Sequence, residues 1–138
     1  MLTDVDPVDH SAESLREVYE RTLRETIETI GVSETADTTG LKREIVERIA
    51  EGRSDAITLT EATAVLAAVE DRDAEAIAAD ARDRLLLSMS TAVLDVEALA
   101  RHFDGGDSAK ELQAKIEGRH PMTLSEYARV RVTIAGES

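Results

Sequence analysis

The chain has 138 residues, with 29 acidic against 16 basic side chains, a formal net charge of −13 and no cysteine. That length supports one domain or two very small ones, and without cysteine there is neither a disulfide nor a thiolate metal site. The opening MLTDVDPVDH has no basic region and no apolar run, so no signal peptide is expected, and no apolar stretch approaches the roughly 20 residues that cross a bilayer. The expectation is a soluble, cytoplasmic protein without a membrane span.

Helical signals dominate from residue 11 onward. Ser11 is a candidate cap for a helix whose Leu15, Val18, Tyr19, Leu23, Ile27 and Ile30 follow the three-and-four spacing of one buried face, with Gly31 as its stop. Residues 33–38 form a short lead into Gly40, and a helix follows over 42–50 with Ile45, Val46 and Ile49 apolar. Thr58 or Thr60 caps the next helix, which turns Ala62, Val65, Leu66 and Val69 inward and breaks at 71–73. Asp73 opens a long helix from Ala74 through about Val93, carrying Ile77, Ala81, Leu85, Met89 and Val93. Asp95 caps a helix over 96–103, Gly105-Gly106 turns the chain, and Ser108 caps a helix over 109–117. Pro121 bars continuation, and Thr123 opens the last helix with Leu124, Tyr127, Val130 and Ile134. Eight helices and no strand are predicted.

The two halves repeat each other. Residues 50–61 read AEGRSDAITLTE and residues 116–126 read IEGRHPMTLSE, so Glu51-Gly52-Arg53 matches Glu117-Gly118-Arg119 and Thr58-Leu59-Thr60-Glu61 matches Thr123-Leu124-Ser125-Glu126, with one residue fewer in the second connection. Such self-similarity marks an internal repeat. The predicted organisation is therefore a tail over 1–11, a first repeat over 12–72, a second over 73–135 and a tail over 136–138.

The middle helices of each half carry a helix-turn-helix spacing: a small residue lets two helices approach, a turn follows, and apolar positions anchor the second helix. In the first half these are Ala36, Gly40, Leu41, Val46, Ile49 and Gly52. In the second, Ala100 takes the small position and Leu112, Ile116, Gly118, Pro121 and Leu124 complete the pattern, with a longer turn through Asp104-Gly105-Gly106-Asp107. This spacing resembles lambda-repressor-like domains over about residues 12–70 and 74–135, which implies an all-α fold of two tandem four-helix, helix-turn-helix-like repeats sharing a packed core. The segment DRLLLSMSTAVLDVEALARHFDGGDSAKELQAKIEGRHPMTLSEYA also resembles a family of small haloarchaeal proteins with no assigned function. The acidic, lysine-poor and aromatic-poor composition agrees with a salt-loving archaeon, in whose brine solubility explains the charge.

Charge placement points to double-stranded DNA as a partner. Residues 1–30 hold three basic and eight acidic residues and residues 54–83 hold two and eight, whereas residues 42–53 hold four basic against three acidic and residues 101–131 hold six against five. Lys42, Arg43, Arg48 and Arg53, with Lys110, Gln113, Lys115 and Arg119, are the candidates for phosphate and base-edge contact. The competing account makes the same cations partners of Glu44, Glu47, Glu51, Glu111 and Glu117 within their own helices, and leaves a protein-interaction module or homo-oligomer as the second reading. Neither basic segment has the aromatics that stack single-stranded bases.

Catalytic signals are sparse. His10, His102 and His120 are scattered, read respectively as a mobile-terminus, an exposed-helix and a loop residue, and no metal-ligand spacing or phosphate loop accompanies them. No enzyme, metal or cofactor is expected. Met89 and Met122 read as core fillers. Leu85, Leu86 and Leu87 point in three directions on a helix, read as a buried central helix joining the repeats, with a subunit contact as the alternative.

Overall fold

The computed structural model describes residues 2–53, 56–70, 72–103 and 108–137. After a 3₁₀ turn over Pro7–Asp9, eight α-helices follow among the described residues: α1 (Ala12–Ile30), α2 (Val32–Thr39), α3 (Arg43–Ala50), α4 (Leu59–Ala67), α5 (Ala74–Thr91), α6 (Val96–Ala100), α7 (Ala109–Ile116) and α8 (Leu124–Gly136). Six of them start where a Ser, Thr or Asp side chain accepts from the backbone N–H three residues on: Ser11, Thr58, Asp73, Asp95, Ser108 and Thr123. Each such oxygen satisfies one of the N–H groups a helix start leaves without an acceptor. Thr58, not Thr60, is the cap of α4.

Several predicted boundaries move. The lead over 33–38 is a full helix, α2, which begins immediately after Gly31 and is tightened by Thr35 and Thr39 hydroxyls donating four residues back to Gly31 and Thr35 carbonyls, both at 2.7 Å. The helix predicted to reach Val93 stops at Thr91, and the one predicted over 96–103 stops at Ala100. Val69, expected to face inward, is 49% exposed, and Val93, expected along the long helix, is 91% exposed. They lie past the ends of α4 and α5, where the 3.6-residue period no longer applies, and Val93 adopts a left-handed φ of 53°. Asp71 and the Gly105-Gly106 turn lie outside the described residues. His10 is anchored, its Nδ1 standing 3.0 Å from Ser14 Oγ.

The leucine triplet also divides differently from expectation. Leu85 is fully buried, while Leu86 and Leu87 are 45% and 60% exposed. A helix packed on one side buries one residue of three consecutive ones, so α5 is amphipathic and not enclosed. Met89 and Met122 are buried, as their spacing predicts.

One apolar cluster runs through the whole chain. Its main contacts pair α1 with α8 and α4 with α5, so each long helix packs chiefly on the last helix of the other half or on the helix before it in sequence. At the centre Tyr19 on α1 meets Tyr127 on α8, with ring centroids 6.0 Å apart and planes tilted 40°. Tyr127 donates to the Ala81 carbonyl of α5 and Tyr19 to the Leu2 carbonyl, both at 3.0 Å. The buried Arg131 guanidinium donates to that same carbonyl at 2.7 Å and to the Tyr19 hydroxyl at 2.6 Å. Residue 2 is thereby tied into the core by two side chains from opposite ends of the sequence. Burial pushes both phenols above their ordinary range, and Arg131 partly offsets this at Tyr19.

Candidate functional site

The repeated sequence becomes a repeated backbone. After α3, Glu51 caps the helix and Gly52 takes φ 79°, while the Arg53 N–H returns to the Arg48 carbonyl at 2.8 Å. After α7, Glu117 caps, Gly118 takes φ 82°, and the Arg119 N–H returns to the Ala114 carbonyl, also at 2.8 Å. A positive φ at the residue after the cap closes a helix while satisfying its last carbonyls, and glycine adopts it without a Cβ penalty. The chain then reaches Thr58 or Thr123, each in a capping box in which its hydroxyl accepts from the N–H of Glu61 or Glu126 and that glutamate accepts from its own N–H.

These two caps meet. Thr58 and Thr123 form an isolated antiparallel bridge, in which Leu59 N–H donates to the Met122 carbonyl at 2.7 Å and Leu124 N–H to the Ile57 carbonyl at 2.8 Å. Each bond satisfies the first N–H of a helix that has no acceptor within its own turn. The bridge brings the α3–α4 and α7–α8 turns together although 65 residues separate the paired threonines in sequence. Arg48 and Arg53 line one hollow with Ile57 and Glu61, and Lys115 and Arg119 line another with Thr58 and Thr60.

The candidate phosphate contacts are distributed over this region, and most are already engaged. Arg43 donates to Glu47 at 2.9 Å and to Ser33 at 2.8 Å, and Arg48 donates to Glu44 at 3.0 Å. Arg53 pairs with Glu51, Lys115 with Glu126, and Arg119 with Glu117 at 2.7 Å. Gln113 donates to Glu117 at 3.0 Å. Hydrogen bonds from Gln113 first and Arg119 second hold the Glu117 carboxyl below its ordinary range. Lys42, the N-cap residue of α3, and Lys110, in the first turn of α7, are exposed and make no ion pair among the described residues.

Two arginines missing from the sequence reading stand over the glycine turns. Arg82 of α5 packs across Gly118 so closely that a Cβ built there would meet its Nε at 2.9 Å and its Cζ at 3.0 Å. Arg24 of α1 stands over Gly52, its Nη1 at 3.5 Å from the equivalent point. Nothing in the periodicity of α1 or α5 separates these residues from any exposed helical arginine. The three histidines do not converge: His10 bonds Ser14, His102 lies 3.3 Å from Glu137, and His120 is exposed beside Pro121. Among the described residues no group of three or more His, Asp or Glu is placed to hold a metal, and no helix is long and apolar enough to cross a membrane.

These features define an all-α protein with a single shared core and a turn that occurs twice about one backbone bridge. A model described as a family of unknown function, DUF5791, matches residues 15–137, and the chain belongs to that family. No curated protein and no solved structure matches it.

Proposed function

We propose that this is a non-enzymatic, cytoplasmic DNA-binding or transcription-associated protein of a halophilic archaeon, built from two helix-turn-helix-like repeats over 12–72 and 73–135. In this reading it contacts the phosphate backbone through α3 and α7 and the turns that follow them. The observation that carries it is the pairing of Thr58 with Thr123, which sets the two segments that escape the acid excess of the chain on either side of one bridge. Clustered cations are the electrostatic footprint of a phosphate-binding surface. The three-residue turn over 40–42 between α2 and α3 supports the reading for the first repeat.

The intrahelical ion pairs do not oppose it strongly. Exposed pairs such as Arg43–Glu47 and Arg48–Glu44 contribute only about 0–1 kcal/mol, so exchanging a carboxylate for a phosphate oxygen costs little. Lys42 and Lys110 need no exchange at all.

The test is occupancy in the host, with cross-linked DNA sequenced for the wild type beside an Arg43→Glu, Arg48→Glu double variant. Discrete peaks lost in the variant are expected. A flat profile for well-expressed wild-type protein would exclude DNA binding. The second reading, a protein-interaction module or homo-oligomer, is favoured by exposed Leu86, Leu87 and Val93 on one long helix and its end. Under it, Leu86→Glu breaks a complex that survives the double variant.

A further inference from the structure

Beside the Thr58–Thr123 bridge lies a half-open cleft of about 380 Å³ whose wall includes Arg82, Lys115, Arg119 and His120 with Thr58 and Thr60. Among the described residues no aspartate or glutamate lines it, in a chain where acids outnumber bases 29 to 16. Glu117 and Glu126, the partners of Arg119 and Lys115, stand outside that wall. Arg82 makes no hydrogen bond or ion pair with any described residue, and its side chain lies across Gly118. The three permanent cations come from three separate elements: α5, α7 and the turn after α7.

The same wall contains the first turn of α4. Leu59 N–H is spent on the Met122 carbonyl and Glu61 N–H on the Thr58 hydroxyl, which leaves the Thr60 N–H and hydroxyl as donors with no acceptor among the described residues. Donors and cations converging from several directions suit an anion with several oxygens, because each oxygen can take its own charge-assisted bond. The volume lies within the roughly 300–1,000 Å³ of small-molecule sites, more room than a lone monatomic ion needs.

We propose that this cleft binds a phosphate group, with Arg82 as the principal cation and Lys115, Arg119 and Thr60 as supporting contacts. The group is either a free phosphate ester or a phosphate of a DNA backbone. The site goes beyond the DNA reading, since it holds if the only ligand is a free phosphate. Lys115 and Arg119 serve both readings, so Arg82, which belongs to the cleft alone, is the residue to change.

The experiment is a two-dimensional amide NMR titration of the full chain with inorganic phosphate, ionic strength held constant with chloride. Saturable shifts are expected at the amides of residues 58–60 and 118–120. Arg82→Gln should weaken the midpoint about tenfold or more, the usual consequence of losing one charge-assisted bond, while Arg24→Gln, at the equivalent place over Gly52, leaves it unchanged. The remaining amide peaks report whether each variant is folded, and Thr60→Val, which keeps all cations, should weaken binding by a smaller factor. A duplex oligonucleotide added to the phosphate-bound protein then identifies the source: displacement of phosphate assigns the cleft to the DNA backbone, and coexistence assigns it to a free ester. Non-saturating shifts that match chloride, or an Arg82→Gln midpoint equal to wild type, would overturn the proposal.

Discussion

The turn after α3 and the turn after α7 share a backbone but not a chemistry. Both run from a capping glutamate through a left-handed glycine to an arginine that pairs with that glutamate, and both end at a threonine in a capping box. Around this frame the side chains diverge. The position equivalent to Lys115 is Ile49, fully buried, and the position equivalent to Ala114 is Arg48, exposed and paired with Glu44. Glycine and cap positions are dictated by dihedral angles and unsatisfied N–H groups, so a repeat retains them wherever the turn is retained. Side chains that touch only solvent or a cleft carry no such constraint. The side chains around the two turns are therefore where the halves differ, and the cleft lined by Arg82, Lys115 and Arg119 lies on the α7 side.

The glycines give the largest contrast. An alanine at either position occupies the left-handed region at a cost of about 1–2 kcal/mol. At residue 118 it also has to displace Arg82, whose Nε stands 2.9 Å away, whereas at 52 the nearest atom is at 3.5 Å, an ordinary contact. Gly118→Ala should lose about 2 kcal/mol or more and Gly52→Ala about 1 kcal/mol in urea unfolding. Equal losses would show that Arg82 swings away freely and is not held over the turn.

The paired phenols extend the comparison to pH. Tyr127 and Tyr19 are both held above the ordinary phenol range by burial; the Arg131 guanidinium opposes this at both, but only Tyr19 also accepts a hydrogen bond from it. A folded-state value above the unfolded one means the folded chain keeps a proton that the unfolded chain releases. The stability this represents is complete below about pH 10 and falls as pH rises above it, by at most about 1.4 kcal/mol per pH unit for each such group. Alkaline unfolding followed by tyrosinate absorbance should be delayed more by Tyr127→Phe than by Tyr19→Phe. The reverse order would mean that Arg131 does not act on Tyr19 as the 2.6 Å bond implies.

Much of this frame was legible in the sequence. Ser11, Thr58, Asp73, Asp95, Ser108 and Thr123 are small polar residues before apolar periods, and all six cap. The EGR repeat marked both turns because its glycine answers a local backbone requirement. What escaped was whatever depends on distant partners. The Thr58–Thr123 bridge joins two caps by backbone bonds, which leave no trace in side-chain patterning. Arg82 lies 36 positions before the glycine it covers and looks like any exposed helical arginine. The exposure of Leu86, Leu87 and Val69 is not legible in the sequence, because an apolar side chain reports hydrophobicity, whereas exposure depends on where a helix ends and what packs on it. The candidate DNA contacts were legible as an excess of charge, and so were their carboxylate partners Glu44, Glu47, Glu51 and Glu117, which lie within helical reach in sequence; the pairing of Lys115 with Glu126 emerged only once α7 and α8 were placed together.

The caps themselves offer a finer contrast. Removing the hydroxyl by Thr58→Ala or Thr123→Ala should cost about 1 kcal/mol at each helix, since each loses one N–H acceptor while the backbone bridge remains. Near-equal values support the equivalence of the two turns. A much larger loss at one of them would show that its hydroxyl holds the bridge as well as the helix.

Smallest of all is the effect of the second duty performed by Glu126. Both Glu61 and Glu126 accept from their own cap N–H, but only Glu126 also pairs with a lysine, Lys115. Glutamine preserves the capping acceptor and removes the charge, so Glu61→Gln should be close to neutral. Glu126→Gln should lose about 0.5 kcal/mol, a figure kept small by the partial exposure of the pair. Salt distinguishes this pairing from a packing effect, because screening weakens an ion pair and leaves apolar contacts intact. The gap between the two variants should therefore narrow as potassium chloride rises from low to molar concentration. A gap that persists unchanged would assign the Glu126 contribution to packing against α7, and Lys115 would then owe its position to its own helix and not to the carboxylate.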